Sequence, residues 1–273
     1  MGELIPQIGD RTDAEAFLDD RIGQGVKPGV ERIAGLMEFI GSPELTYPSI
    51  LIAGTNGKTT TTMLLAHLLQ TSGMRAGAGG NVGGGLAPPA SVLALLDPAP
   101  DWYVLEMSSF QIAGIDTFRP QIGVVTNLSP DHLDRYRSVE EYYADKARIA
   151  DNADAETVWV LPADDRAVEE LLSGAPGHRF YFGESASPEV ASREMGGRLT
   201  LDTGTGEVEL IERLELPLLG RHNVRNALAA ALAASLAGAS VDGIAKGLRT
   251  ARALPHRMEP VLEAEGVHWV NDS

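Results

Sequence analysis

Apolar residues recur along this chain with two different spacings, and the alternation between them predicts its elements. Within the first 48 residues, "DAEAFLDDRI" and "GVERIAGLMEFI" place apolar positions three and four apart. That spacing predicts one or two helices joined by the turn "GQGVKPG". From residue 49 onward, the short apolar runs "SILIAG", "WYVLEM", "IGVVTN" and "TVWVLP" are separated by segments long enough for crossovers. Strands and helices in alternation predict an α/β fold, a mostly parallel sheet with helices on both faces. Residues 198–216 alternate apolar and polar positions around a Gly-rich turn, which suits a small antiparallel hairpin. An Ala-rich helix is expected over 223–237, and "GVHWV" opens one more strand. "GAGGNVGGG" reads only as a Gly-rich loop, because Val82 breaks the dinucleotide spacing. The expected organisation is an N-terminal helical segment over 1–48, a central α/β domain over 49–253, and the start of an incomplete C-terminal domain over 254–273.

The stretch "GTNGKTTTT" falls between the run "SILIAG" and the leucines of "TTMLLAHLLQ", so strand, tight turn and helix follow one another. Gly54 and Gly57 let the backbone turn and expose its N–H groups, and the helix N-terminus adds a positive dipole end. This is an anion cradle over Gly54, Thr55, Asn56, Gly57, Lys58, Thr59 and Thr60. Lys58 is placed to reach outer phosphates and the Thr59 hydroxyl to ligate Mg²⁺, as in a P-loop ATPase. The loop is a compact variant, G-T-N-G-K-T, since Ile52 and Ala53 stand where the general pattern has its first glycine.

Composition narrows the function classes. At 273 residues with 44% hydrophobic and 22% charged residues, the chain is long enough to bury a substantial core. Its net charge of −16 argues against nucleic acid and against an anionic membrane as partners. Any phosphate site must therefore be locally cationic. The absence of cysteine excludes disulfides and thiolate metal sites and suits a reducing, cytoplasmic location.

Three further constellations carry chemistry. "WYVLEM" delivers Glu106 to the carboxyl end of a strand, where open α/β sheets gather ligands; beside a phosphate loop such a carboxylate suits a phosphate-bridging Mg²⁺, and elsewhere it is simply solvated. Ser138 with Glu141 reads as a capping box that starts a helix. On that helix Val139, Tyr142 or Tyr143, Lys146, and Ile149 or Ala150 share a face, with Asp145 and Arg148 pointing away. Lys146 is open to two readings, an amine snorkelling to water or pairing with an aspartate, and a desolvated amine of lowered pKa; His132, a good metal ligand upstream, favours the second. In "LLGRHNVRNALAA", Asn223 and Asn226 share a helix face suited to a planar base or ribose, with simple N-capping as the alternative. Spacing assigns no role to Arg257 or Asp272.

Taken together, "GTNGKTT", "LEMSSFQ", "TNLSPDHLDRY", "KARI", "LLGRHNVRNALAA", "LPHR" and "VNDS" resemble the Mur ligase family, ATP-dependent amide ligases of peptidoglycan synthesis, over roughly residues 49–273. Within the family, "GGNVG", "EMSSFQ" and "DHLDRY" are most similar to the ligases that add D-glutamate to UDP-N-acetylmuramoyl-L-alanine. The resemblance implies ATP on Lys58, Thr59 and the loop. It implies Mg²⁺ at two sites held by Thr59, Glu106, His132 and a carbamylated Lys146. Nucleotide contacts are implied at Asn223, Asn226, Arg257 and Asp272, and muramoyl-substrate contacts at Asn81, Ser108 and Gln111. It further implies a cytoplasmic, monomeric enzyme acting on a UDP-muramoyl precursor and D-glutamate. "GVKPGVERIAGLMEFIG" instead resembles the start of folylpolyglutamate synthases, which sets a second ligase reading beside the first. A third is an ATP-binding module that works with a partner subunit. Because the family motif runs on past "NDS", this chain is expected to bind ATP without completing a ligation.

Overall fold

The computed structural model of the chain describes residues 47–131, 136–184, 187, 189–204, 206–264 and 267–272. Residues 1–46 of the helical segment expected over 1–48, with the folylpolyglutamate-like stretch they contain, and His132 lie outside these residues.

The first described strand, β1 (Ser49–Ala53), is buried along its whole length. Its successive side chains face opposite sides of the sheet. Ile50 and Ile52 enter one core cluster, and Leu51 and Ala53 enter another. That is why "SILIA" reads as a continuous apolar run rather than an alternating one. From β1 the chain enters α1 (Lys58–Thr71) and crosses to β2 (Ala76–Gly80). The short helix α2 (Ala90–Leu93), β3 (Trp102–Glu106) and the short helix α3 (Ser109–Ile112) lead to β4 (Ile122–Val125). Helix α4 (Val139–Ala147), β5 (Val158–Pro162), α5 (Arg166–Leu171) and β6 (His178–Gly183) follow. Next come β7 (Val190–Met195), β8 (Arg198–Leu201), β9 (Val208–Glu212), α6 (Arg221–Leu236) and α7 (Val241–Arg249).

These strands form a nine-stranded sheet in the order β2-β3-β1-β4-β5-β6-β7-β8-β9. Pairings are parallel from β2 as far as β7, and antiparallel from β7 to β9. From β1 the chain crosses to the edge strand β2, comes back to β3 between β2 and β1, and then passes to the other side of β1 with β4. The loop after β1 therefore stands at a topological switch point, where the carboxyl ends of an open sheet form a crevice.

One face is covered by α1, α6 and α7. Residues Ala227 to Ala234 of α6 are inaccessible to solvent, since that helix is packed against both the sheet and α1. A helix apolar all round is a buried one, and its many alanines let its neighbours approach. Close approach recurs at Gly247 of α7, where a Cβ atom would stand 2.6 Å from Leu68 Cδ2 and Thr71 Oγ1 of α1. On the other face, Ile112, Ile149, Trp159, Leu161 and Val168 pack beneath α3, α4 and α5. The Trp159 ring crosses Gly123 on the neighbouring strand, where a Cβ would lie 2.3 Å from its six-membered ring.

The α/β architecture with helices on both faces matches the sequence reading, and differences are local. Residues 76–80 form the edge strand β2 rather than loop, because glycines accommodate Pro88 O and Glu106 O at distances no Cβ would tolerate. The expected hairpin forms as β8 and β9 and continues the main sheet through β7. Strands β10 (Glu259–Ala264) and β11 (Val267–Asn271) form a separate antiparallel pair.

Candidate functional site

The sharp turn after β1 requires its two glycines. Gly54 has φ +133°, and a Cβ there would lie 2.1 Å from Thr126 Oγ1; Gly57 has φ +79°, and its Cβ would lie 2.3 Å from Asn226 Oδ1. Gly57 caps α1 with no side-chain hydrogen bond, and no acidic residue occupies the first turn. The first-turn N–H groups of a fourteen-residue helix are thus left without a side-chain cap, the condition under which a helix end takes an anion.

The loop is held from the neighbouring strand. Thr55 N donates to Asn127 O (3.0 Å) and Asn56 N to Asn127 Oδ1 (3.0 Å). The Asn56 carbonyl accepts from Thr126 Oγ1 (2.7 Å) and Asn127 Nδ2 (2.9 Å). Thr55 Oγ1 bonds Ser129 in both directions at 3.0 Å and lies 3.4 Å from Tyr142 Oη. Thr126, Asn127 and Tyr142 therefore set the loop's shape. Sequence reasoning assigned none of them a role, although the first two stand in the motif "TNLSPDH".

Lys58 folds back so that Nζ donates to Thr55 O (2.8 Å). Burial lowers its pKa, Glu106 and Asp131 oppose that, and Arg257 adds to it. Glu106 is 3% exposed, and its Oε2 has no hydrogen-bond partner among the described residues. Burial raises its carboxyl pKa against the pull of Thr59, Lys58, Arg257 and Asn81. Thr59 and Asn81 stand beside this carboxyl group, and Asn81 N donates to the Glu106 backbone carbonyl (2.8 Å). Thus Lys58, Thr59, Asn81 and Glu106 converge, and the charge of Arg257 is felt by two of them. A buried carboxylate oxygen without a partner beside a helix-terminal hydroxyl is a donor set for a hard cation. Among the described residues no three His, Cys, Asp or Glu side chains cluster as a metal site.

Ser138 caps α4 by accepting from Glu141 N (3.2 Å), but the Glu141 carboxylate accepts from Arg137 N (2.9 Å), so only half of the expected box forms. Lys146 lies on the buried face with Tyr142 and Ile149. Its Nζ donates to Gly54 O (2.6 Å) and sits 4.7 Å from the Tyr142 ring centroid. Burial, then the nearby Lys58 charge, lowers its pKa to about 7, with Asp131 opposing. The snorkelling alternative is not realised, since this residue is 3% exposed.

Asn223 and Asn226 are buried on α6 and joined by an Nδ2 to Oδ1 bond of 3.2 Å. Neither caps the helix; Gly220 stands at that position. Asn226, Asn56, Asn127, Arg225 and Phe182 line a cavity of about 140 Å³ beside Gly57. Thr60 lies on the other side of α1, with Met63, His67 and Leu218 around a cleft of about 450 Å³. Ser108 and Gln111, expected at the muramoyl substrate, cap each other across the first turn of α3, two residues beyond Glu106 at their nearest. Asp272 Oδ1 accepts from Met258 N (3.1 Å), which ties the end of β11 to the turn that carries Arg257.

Residues 52–234 match the Mur ligase middle domain family. The chain belongs to the Mur ligase family. A UDP-N-acetylmuramoylalanine--D-glutamate ligase of Syntrophotalea carbinolica is 37% identical over 263 residues, covering 92% of this chain and 57% of the relative. One of the same name from Acidobacterium capsulatum is 38% identical, covering 82% of this chain and 48% of the relative. The Mur ligase chain spans about half the length of the curated relatives it matches. Among solved structures, MurF from Acinetobacter baumannii shares the fold with a TM-score of 0.64 at 22% identity, over 85% of this chain and 52% of that one. A murein peptide ligase from Psychrobacter arcticus does so with a TM-score of 0.62 at 20% identity, over 98% and 58%. No helix among the described residues is long and apolar enough to cross a membrane.

Proposed function

We propose that this chain is the nucleotide-binding portion of an ATP-dependent amide ligase that adds D-glutamate to UDP-N-acetylmuramoyl-L-alanine. The observation that carries the reading is a helix N-terminus without a side-chain cap, with Lys58 and the partnerless buried oxygen of Glu106 beside it. The acceptor and the amino acid come from the names of the relatives that match most of this chain. Residues 49–253 form the central domain, and 254–273 lead toward a domain that positions the amine.

On this reading the loop from Gly54 to Thr60 cradles the triphosphate by its N–H groups. Lys58 leaves the Thr55 carbonyl to meet the outer phosphates, where charge develops as a substrate carboxylate attacks the γ-phosphate, the bond to the β,γ-bridging oxygen breaks, and acyl phosphate and ADP result. Thr59, Glu106, His132 and Lys146, the last carbamylated, are the residues that would hold Mg²⁺, which supplies charge neutralisation when bound. A lysine with a pKa near 7 has enough neutral amine at physiological pH to react with CO₂. Asn223, Asn226, Arg257 and Asp272 hold the rest of the nucleotide. Asn81, Ser108 and Gln111 face the muramoyl substrate.

Thermal unfolding with Mg·ATP tests the reading. At a hundredfold excess over Kd, mass action adds about 2.7 kcal/mol, a rise of roughly 5 to 10 °C for a unit of this size. Lys58→Ala should remove the rise. An equal rise in that variant would place the nucleotide elsewhere.

A further inference from the structure

The phosphate loop is fixed from two sides, and both fixings lead to one pair of aspartates in the β5–α5 turn. On the first side, the Asn56 backbone is bonded by Thr126 and Asn127, as described above. The next residue along, Leu128, donates its N–H to Asp165 Oδ2 at 2.8 Å. Asp165 uses its other oxygen to cap α5, accepting from Ala167 N (3.1 Å) and Val168 N (3.2 Å). On the second side, Asn226 packs against the Cα of Gly57. Its neighbour Arg225 makes a two-pronged bond to Asp164, at 2.7 and 2.6 Å. The contacts close into a ring running Asn56, Asn127, Leu128, Asp165, Asp164, Arg225, Asn226 and Gly57. The cavity of about 140 Å³ lies beside this ring, with Asn56, Asn127, Arg225 and Asn226 among its walls.

We infer that Asp164 and Asp165 are positioning residues for the phosphate loop: they lock the β4 end and the α6 N-terminus at one separation, and so fix the Asn56–Gly57 peptide between them. An interpretation as an ordinary surface ion pair is weaker. With Asp164 59% exposed and Arg225 27% exposed, the pair's direct contribution to stability is small. A forked guanidinium–carboxylate contact, however, fixes direction as well as distance. One end, Arg225, sits one residue from Asn226, which touches Gly57, and the other, Asp164, reaches Asn56 through Asp165, Leu128 and Asn127. The consequence falls on loop geometry rather than on global stability. A displaced cradle no longer aims its N–H groups at one point, and misplacement of about 1 Å is enough to cost function heavily.

The inference rests on the nucleotide reading for its binding consequence, and backbone exchange tests it independently of that reading. Asp164→Asn and Arg225→Lys should each leave the melting temperature of the nucleotide-free chain within about 4 °C of the parent. They should also speed amide hydrogen exchange of the peptide covering residues 54–58, and weaken Mg·ATP binding by about threefold to thirtyfold in calorimetry. The exchanged pair Asp164→Arg with Arg225→Asp restores the link and should recover both properties in large part. Unchanged exchange and unchanged affinity in the single variants would overturn the inference. So would losses that simply follow a large fall in melting temperature and are not recovered by the exchanged pair. If the parent chain binds no Mg·ATP, the nucleotide reading fails, while the exchange rates still decide whether the aspartates hold the loop.

Discussion

Replacing Lys146 by methionine should stabilise the nucleotide-free chain near pH 7, although it removes a well-placed hydrogen bond. The amine is buried against Tyr142, and its pKa falls from 10.5 to about 7, through burial first and the Lys58 charge second. The gap corresponds to a penalty on the order of 4 to 5 kcal/mol for the fully charged group. Methionine keeps the stem and loses the bond to Gly54 O together with the ring contact, roughly 2 to 3 kcal/mol between them. The net gain expected at pH 7 is about 1 to 3 kcal/mol. The sign with pH follows from proton counting. Between about 7 and 10.5 the unfolded chain holds a proton on Lys146 that the folded chain has released, so the stability of the parent rises with pH across that window. The methionine variant lacks this contribution, and its advantage should shrink to nothing near about pH 9. Urea unfolding of both proteins from about pH 6.5 to 9.5 in CO₂-free buffer measures the difference. A parent more stable than the variant at pH 7, by an amount independent of pH, would refute the reasoning. It would show a charged Lys146 fully compensated by its neighbours.

Two further outcomes test the packing and the carboxylate. Gly247→Ala should cost about 1 to 3 kcal/mol in urea unfolding, because its methyl would stand 2.6 Å from Leu68 Cδ2 and Thr71 Oγ1. Glu106→Gln should remove the dependence of nucleotide binding on Mg²⁺. Because burial raises the Glu106 pKa above 4.5, the folded parent holds that proton longer and loses stability as pH rises from 4.5. The glutamine variant should lack that decline, and unfolding curves over this range check it.

The parallel core was legible because its strands are buried on both faces, so "SILIA", "VWVLP" and "IGVV" stand out as apolar runs between turn residues. The edge strand β2 was not, since "AGAGG" has neither β-branched nor aromatic residues and is a strand only because β3 pairs with it. Strands β6 and β7 escaped notice for a related reason. "HRFYFG" and "VASREM" mix charged and apolar residues and take their register from neighbouring strands. At the site, the chain segments carrying Lys58, Glu106 and Lys146 each announced themselves through local pattern. What local pattern does not carry is the bracing from a distance: Thr126 and Asn127 across to Asn56, and Arg225 across to Asp164. Such pairs are 61 to 71 residues apart in sequence and acquire meaning only when the sheet order is known.

The charge balance explains why the site needs so much support. A chain of net charge −16 brings Lys58, Lys146 and Arg257 within electrostatic reach of one loop. Burial lowers both lysines, Arg257 lowers Lys58 further, and Lys58 lowers Lys146. Without an anion this arrangement is held against its own repulsion by carbonyl contacts, Lys58 to Thr55 and Lys146 to Gly54. Both carbonyls belong to the loop itself, so each lysine braces the cradle while it waits. A polyphosphate entering at the end of α1 would reverse the balance, since it adds negative charge to that of Glu106 and Asp131 near Lys58. Lys58 would then exchange the Thr55 carbonyl for the ligand, and the loop would lose one of its internal ties as the ligand replaced it. The ties that remain include Asn127 on one flank and Asn226 on the other, which is where the two aspartates act. A loop built to release a lysine must be fixed by groups that do not move with it.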